Sequence, residues 1–501
     1  MAKYKRYDFS QSMLIPVCFE EQLIPGTLEF AIHTLVETRM DMSIFDDNYQ
    51  NDETGRRAYD PKILLKVVLF AYSRGLITSR KIERACNENV MFMALSGNQR
   101  PDHSTIAAFV SSMQDEILPL FRDILLVCDQ EKLLGGTFFA LDGLKLPSNA
   151  SKRWSGTLSD ISKKKEKIEQ KIKSLLEAQV SADKEDCDTL IDPLNRQKQI
   201  EKLQLQAERI EKWLKENDAK IGANGRELQS NITDNESAKM MTSHGTIQGY
   251  NAQALVDKEH QVIIQAEAFG SGQDNEHLAP MVDGAKENLK KIGQSEDYFE
   301  DKIFTADTNY HNQSTLEKCE EEKLDAYIPD RKFRTRDERF ATQSRYQPKK
   351  SKKFVLQDFN YDEAKDYYIC PNDKILKLKV KRLVQDRNIY RRYMADAKDC
   401  SQCSLKSQCI TRKNAKRRTL DVPIGADDTN FSKAMLKKVD SDRGRRIYPQ
   451  RMAIVEPVFA NIRVIKRMDR FTLRGKIKVN IQWMLYCMVH NIEKIMNFAT
   501  A

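Results

Sequence analysis

The sequence predicts an α/β protein in which a helical N-terminal region precedes a sheet that two insertions interrupt. Residues 20–130 carry apolar side chains at three- and four-residue spacing, which is typical of amphipathic helices. Two short apolar runs, 137–143 and 302–308, have the continuous character of buried strands, and they place Asp142 and Asp307 near their ends. Strongly charged segments separate the core elements and are the predicted insertions.

The N-terminal region is predicted to begin with three helices, at residues 28–40, 61–73 and 79–95. Pro61 suits a first helical turn, and Ser79 and Ser104 are expected to cap helices. Two short helices around the polar turn before Ser104 fit a helix-turn-helix-like unit, which would bind DNA. A plain helical bundle fits the same pattern equally well.

The first insertion, residues 160–220, is charged and helical. Two apolar seams run along it, Ile161, Ile168, Ile172 and Leu175 before a break and Ile200, Leu203, Ala207, Ile210 and Leu214 after it. Asp192-Pro193 makes a natural turn between them. The pattern favours an antiparallel helical hairpin, and a coiled-coil dimerisation arm is the alternative.

The sheet is expected to resume with paired strands over 250–256 and 261–269, a helix over 277–291, and then the strand before Asp307. A further helix and a strand near 325–329 precede the second, basic insertion. The expected domains are an N-terminal helical domain (1–130), which the helix-turn-helix-like unit would make DNA-binding, a sheet core (131–329) that carries the hairpin (158–220), a basic insertion (330–425) and C-terminal core helices (426–501).

The chain has 82 basic and 73 acidic residues, a net charge of +9, and this modest excess suits a polyanion partner without requiring one. The basic residues concentrate in 331–418. Within it, Lys349, Lys350, Lys352 and Lys353 are expected to contact DNA phosphates, although such runs are often only solvated surface.

Composition also predicts where the protein acts. No apolar stretch approaches the ~20 residues of a membrane span, and the N-terminus lacks a signal-peptide core. Ten cysteines in 501 residues are too few for a secreted disulfide scaffold. A cytoplasmic, nucleoid-associated protein with no membrane partner is expected.

Three acids form the main candidate site: Asp142, Asp307 and Glu456. An acid that closes a buried strand lies at the sheet edge, where it can coordinate a metal ion. Hard carboxylate oxygens suit Mg²⁺ or Mn²⁺, and a pair of such ions clamps both oxygens of an in-line phosphoryl transfer. Taken singly, each acid could be an ordinary surface residue.

Three sequence strings carry a family resemblance: LDG at 141–143, ADTNY at 306–310, and the run from YPQR to VEPVFANIR at 448–463. They resemble the DDE signature of bacterial insertion-sequence transposases of the IS1182 type, within the IS4/IS5-like assemblage. The resemblance implies an RNase H-like core with two Mg²⁺ or Mn²⁺ ions. Asp142 would bridge both ions, and Asp307 and Glu456 would complete one shell each.

The resemblance also implies a function. The protein would bind the terminal inverted repeats of its own element, cleave there, and join the 3′-hydroxyl to target DNA, acting as a homodimer on double-stranded DNA. Two alternatives stay open from sequence. One is a non-transposing metal-dependent nuclease on the same core, and the other is a catalytically silent DNA-binding protein derived from a transposase.

The C-terminal motif departs from the family pattern. Tyr448 and Arg451 fit it, but four residues instead of three separate Arg451 from Glu456, and arginine, Arg463, occupies the final lysine position. On an ideal helix Arg463 lies within about 20° of Glu456 and is expected to hold a phosphate, whereas Arg451 lies about 140° away. Pro457 can kink the helix, so the roles of Arg451 and Tyr448 stay open. Both are grouped with Arg463 and Lys466 as expected DNA-binding residues.

Four cysteines of the second insertion form a separate candidate site: Cys370, Cys400, Cys403 and Cys409, named here the insertion cysteines. Cys400 and Cys403 have metal-knuckle spacing, and Cys370 precedes a turn. The set suits structural Zn²⁺, and reduced thiols in a small β insertion are the alternative.

Overall fold

The computed structural model describes residues 16–49, 57–182, 193–222, 225–243, 245–346, 353–385, 388–410, 415–423 and 430–499. Within these ranges the protein is mixed α/β, as predicted. Among the described residues, no helix has the length and apolar character needed to cross a membrane.

Six α-helices lie in the described part of the N-terminal region: α1 (Leu28–Thr38), α2 (Pro61–Ser73), α3 (Ser79–Glu88), α4 (Val90–Leu95), α5 (His103–Ser112) and α6 (Ile117–Gln130). Pro61 occupies the first turn of α2, as predicted. The predicted caps Ser79 and Ser104 are wrong. Thr78 is the residue that precedes α3. Helix α5 is capped by Asp102, whose Oδ1 accepts the N–H of Ser104 at 2.8 Å. A carboxylate just before a helix can reach the free amides of its first turn.

The first insertion follows the strand β1 (Phe138–Pro147). Short paired strands, β2 (Ser155–Gly156) and β3 (Ser230–Asn231), close its base around the helices α7 (Leu158–Ala182) and α8 (Pro193–Glu216). Ile161 near the start of α7 packs with Ile210 and Trp213 near the end of α8. The two helices therefore run antiparallel, and the predicted hairpin is confirmed.

The central sheet continues, in chain order, with β4 (Ala238–Thr242), β5 (Gly245–Asp257), β6 (Ile263–Phe269), α9 (Leu278–Lys291), β7 (Ile303–Thr305), α10 (Gln313–Glu321) and β8 (Asp325–Tyr327). Strands β1, β7 and β8 are parallel neighbours. On the other side of β1, β5 pairs antiparallel with it, and β4 and β6 pair with the outer edge of β5. The sheet thus combines a parallel half and an antiparallel half that meet at β1.

The second insertion follows the short helix α11 (Phe333–Arg336). It contains β9 (Asn360–Asp362), β10 (Tyr367–Ile369), β11 (Ile375–Gln385), β12 (Asn388–Ala395), α12 (Ala397–Ser401), α13 (Lys406–Cys409) and β13 (Thr419–Pro423). The strands form one antiparallel sheet in sequential order. Its small core is separate from the main core and includes Leu376, Tyr393 and Cys409.

The chain ends with α14 (Asn430–Asp440), α15 (Asp442–Ile447), α16 (Gln450–Ala460) and α17 (Lys476–Phe498). Helix α17 is buried along most of its length and lies between the sheet and the N-terminal helices. Trp483 is fully buried and donates its ring N–H to the Gln253 carbonyl at 2.9 Å, and burial of such a side chain contributes about 3 kcal/mol. Asn491 both donates to and accepts from the backbone of Ile263, at 2.8 Å each. The N-terminal helices and the sheet consequently share one hydrophobic core.

Candidate active site

The two predicted aspartates lie beside each other on neighbouring parallel strands. The register of β1 and β7 ends at the pair Ala140 and Thr305. Asp142 and Asp307 each follow two residues later, so they stand at the same level where the strands diverge. The structure therefore brings together two acids that are 165 positions apart in the chain, with Asp142 on β1 and Asp307 at the start of the turn after β7.

Arg451 joins this pair from α16. Its guanidinium donates to Oδ2 of Asp142 at 2.5 Å, and the Gly143 N–H donates to the other carboxylate oxygen at 2.8 Å. The ion pair is largely shielded, with the Arg451 side chain 12% and the Asp142 side chain 22% exposed. The sequence left the role of Arg451 open, and the structure shows that it faces Asp142.

Asp274 is a third acid of the cluster, and the sequence reasoning missed it. It is buried in the turn after β6, and its Oδ1 accepts from the amides of Asn251 at 2.6 Å and Gln253 at 3.1 Å. Its Oδ2 accepts from Asn309 at 3.2 Å, and the same Asn309 amide donates to Asp307 at 3.3 Å. The signal that could have found it is the one used for the other two, an acid soon after an apolar strand.

Charge and burial raise the proton affinity of Asp142 and Asp307. Burial raises the pKa of Asp307 to about 6; the N–H of Asn309 opposes this, and the charges of Asp142 and Asp274 add to it. Burial likewise raises the pKa of Asp142, Arg451 opposes the effect, and Asp274 reinforces it. Three carboxylates thus face a single guanidinium, and a bound cation would relieve their repulsion.

Glu456 lies on α16 but on its exposed side, after the buried Ile454 and Val455. Its role as a metal ligand therefore stays a prediction. The expected alignment with Arg463 depended on an ideal helix, and the chain changes to a π-helical turn over Asn461–Ile465, so the 20° estimate does not apply.

Tyr448 lies close to the cluster, half-buried, with its ring packed edge-on against Phe333 at 5.3 Å between centroids. Burial raises the pKa of its hydroxyl, Arg451 opposes this, and Asp307 adds to it, so the hydroxyl remains protonated at neutral pH. Tyr448 is therefore available as a hydrogen-bond donor beside the acids.

The prediction that Lys466 binds DNA is wrong. Its side chain is fully buried and donates to Glu493 of α17 at 2.5 Å. Burial lowers the pKa of Lys466 and the Glu493 carboxylate opposes this, which identifies the pair as an internal ion pair. Periodicity alone did not reveal that this position faces the core.

Other predicted phosphate contacts are only partly described. Lys349, Lys350 and Lys352 lie outside the described residues. Lys353 is exposed and donates to the Ile410 carbonyl at 2.7 Å, which ties the end of the basic run to the second insertion. Arg463 is exposed on the π-helical turn.

The insertion cysteines line one small pocket in the second insertion, together with Lys374, Lys406 and Arg418. All four are free thiols. Within the described residues, no group of three or more His, Cys, Asp or Glu side chains already stands in a metal-holding arrangement.

Comparison with known protein families decides the broad class. Residues 17–112 match the model of a transposase domain (DUF772), and residues 369–496 match the model of a transposase DDE domain. The two matches indicate an insertion-sequence transposase of the IS1182 type. The second match spans Arg451, Glu456 and the insertion cysteines, while the two aspartates lie between the matched segments. No curated protein matches this transposase.

Proposed function

We propose that this transposase cleaves DNA at the terminal inverted repeats of its own element and transfers the released 3′-hydroxyl to target DNA. The observation that carries the proposal is the juxtaposition of Asp142 and Asp307 at one level of neighbouring parallel strands. The sheet order, with β1 between the antiparallel and parallel halves, supports an RNase H-like core. The DDE-domain match supports a nuclease or transposase activity.

Divalent metal ions, Mg²⁺ or Mn²⁺ and two per site, fit this cluster. The residues that would hold them are Asp142 and Asp307, with Glu456 assigned by the resemblance. When bound, the ions would lower the pKa of an attacking water or 3′-hydroxyl and stabilise the leaving oxygen. The excess negative charge that raises the pKa of Asp307 is the feature of this chain that a cation would neutralise.

The remaining residues of the cluster orient the acids. Arg451 favours the ionised form of Asp142 and fixes one of its oxygens. Asp274 has its two oxygens engaged by three amides, so we assign it as a positioning residue rather than a ligand. Through Asn309 it holds the side chain of Asp307 in one orientation, because that amide donates to both carboxylates.

DNA binding is proposed to divide between two regions. The N-terminal helices would read the element ends, because helices can enter a major groove. The basic insertion would add phosphate contacts that do not depend on sequence. Since the N-terminal helices share the core of the sheet, their removal would unfold the protein. The test must therefore replace exposed side chains and keep the helices in place. Helix α3 offers Arg80, Lys81 and Arg84, all exposed.

The decisive experiment uses the full chain and labelled duplexes that end in the element's inverted repeat. Asp142→Asn and Asp307→Asn should each abolish cleavage and joining in Mg²⁺ and in Mn²⁺ while leaving DNA binding intact. Asp218→Asn, a change at an exposed acid after α8, is the matched control. Cleavage without joining in the wild type would indicate a nuclease, and binding without cleavage would indicate a silent DNA-binding protein; either result would overturn the proposal.

End recognition has its own test. Replacing Arg80 and Lys81 together with alanine should reduce the preference for inverted-repeat over random duplex, measured as a ratio of Kd values at fixed salt. Replacing the exposed Lys163 and Lys167 of α7 is the control for charge loss. An unchanged ratio in the α3 variant would place end recognition elsewhere.

A further inference from the structure

The second insertion has too small a hydrophobic core to fix its own geometry. In the part of the insertion that the structure describes, its separate core consists of seven buried residues: Phe359, Tyr368, Leu376, Tyr393, Ala395, Cys409 and Leu420. Units with cores of this size usually require a disulfide or a metal ion for stability. The described cysteines are all free thiols, and four of them line one pocket beside this core, where a metal ion could supply the missing stability.

We propose that the insertion cysteines bind one structural zinc ion. The proposal does not depend on the catalytic role of the acids, because the pocket lies in a sheet of its own. The cysteines come from three separate pieces of chain: the end of β10, the segment of α12, and α13. A tetrahedral ion with Zn–S distances of about 2.3 Å would tie these pieces together.

The backbone of the turn after β10 donates hydrogen bonds to a cysteine sulfur, an arrangement that suits a thiolate. The N–H groups of Asn372 and Lys374 both donate to the Cys370 sulfur at 3.4 Å. Asp373, between them, adopts a left-handed φ of 53°, which aims the two amides at the same atom. Backbone N–H donors compensate the negative charge of a thiolate, as they do around metal-bound ligands.

The same turn reaches the second pair of cysteines. The side-chain amide of Asn372 donates to the Cys403 sulfur at 3.6 Å. Cys400 and Cys403 are three residues apart, and the Lys406 N–H donates to the Cys403 carbonyl at 3.2 Å, so the chain turns sharply between α12 and α13. Cys409 follows in α13 and is buried against the same pocket.

The charges around the pocket suit a zinc ion with four thiolates, which carries a net charge of −2. Among the described residues that line it, three are cations, Lys374, Lys406 and Arg418, and one is an acid, Asp399. Their net charge of +2 balances the complex (three positive minus one negative). Arg418 is buried and donates to the Cys409 carbonyl at 2.7 Å.

Zinc coordination requires a change from the present arrangement of the described residues, which contain no preformed metal-holding group. Each cysteine has a single side-chain torsion, so its sulfur turns towards or away from the pocket by rotation about one bond. The four thiols line the same pocket, and zinc binding requires them to turn towards a common point there.

The site would also anchor the basic segment. Arg418 donates from its second amino group to the Phe354 carbonyl at 3.0 Å, and the Phe354 N–H donates to the Gln408 carbonyl at 2.8 Å. Residues just after the basic run are thus held against α13, next to Cys409. Zinc would therefore fix the point from which the lysine run projects.

The test is elemental analysis of the full chain purified without chelator. About one zinc per chain is expected, with no iron, and the Cys400→Ser/Cys403→Ser variant should lose it. Cys18→Ser changes an exposed cysteine outside the site and should keep the zinc. A wild-type protein without zinc, or one that holds iron instead, would overturn the proposal.

A second measurement uses the wild type alone, so it stands even if the cysteine variant fails to fold. The reactivity of thiols with a colorimetric disulfide reagent is counted before and after chelation. Four thiols should become reactive on chelation, together with release of the ion. Equal counts before and after would show that the insertion cysteines hold no metal. Cleavage activity is not read in either measurement, so failure here leaves the catalytic proposal untouched.

Discussion

Replacement of Asp307 by asparagine is expected to stabilise the metal-free protein while abolishing its activity. Asparagine keeps the shape of the side chain and can still accept the Asn309 N–H, which contacts Asp307 at 2.7 Å. It removes a carboxylate that burial and two neighbouring acids make unfavourable, as the pKa of about 6 indicates. The variant therefore separates the cost of the charge from the loss of packing.

The size of the effect follows from the pKa. The difference between about 6 and the usual 3.8 corresponds to about 3 kcal/mol of unfolding free energy. Partial exposure of the side chain reduces the expected gain to about 1.5–3 kcal/mol. The folded protein keeps the Asp307 proton to higher pH than the unfolded chain does. The stability that the Asp307 proton contributes to the folded wild type is therefore fully present below about pH 4. It is lost as the pH rises through about 6.

The assay is urea unfolding in EDTA, followed by tryptophan fluorescence at pH 8 and pH 4.5. The variant should exceed the wild type by about 1.5–3 kcal/mol at pH 8 and by about 1 kcal/mol or less at pH 4.5. Added Mg²⁺ should stabilise only the wild type. Binding of the ion to the folded state shifts the folding equilibrium towards that state, and the variant lacks the carboxylate that would bind it. A variant that is equally or less stable than the wild type at pH 8 in EDTA would refute the reasoning, and Asp218→Asn should show neither effect.

Three further predictions concern the neighbouring groups. Arg451→Met removes the cation that lowers the pKa of Asp142, so the pH profile of cleavage should move to higher pH. An unmoved profile would mean that this ion pair does not set the pKa of Asp142. Asp274→Asn should raise the Mg²⁺ concentration needed for half-maximal cleavage at least several-fold with little change in Tm, and an unchanged metal requirement would remove its positioning role. Lys466→Met removes the cation that pairs with Glu493 and leaves this carboxylate only the Asn461 amide as a donor among the described residues. The change should cost about 3 kcal/mol in urea unfolding without altering DNA affinity. Adding Glu493→Gln to that variant should recover much of the loss, and a loss of DNA affinity instead would restore the predicted DNA contact.

The sequence by itself was sufficient for most of the elements and for two members of the cluster. The single helix predicted over 79–95 is instead two helices, because the Asn89 side chain caps a new helix there. Apolar periodicity predicted the hairpin helices, and continuous apolar runs predicted the strands that carry Asp142 and Asp307. These signals are local, since the pattern of one segment shows its type and which of its faces is buried. The same local rule, applied after β6, would have found Asp274.

Only the tertiary structure decided which elements meet. Arg451 reaches Asp142 across 309 positions of sequence, and Lys466 turns inward because Glu493 of α17 lies opposite it. The N-terminal helices join the core of the sheet because α17 packs against both. A pattern along the chain identifies an apolar or charged face but does not name its partner, because the partner is set by how the whole chain folds back on itself.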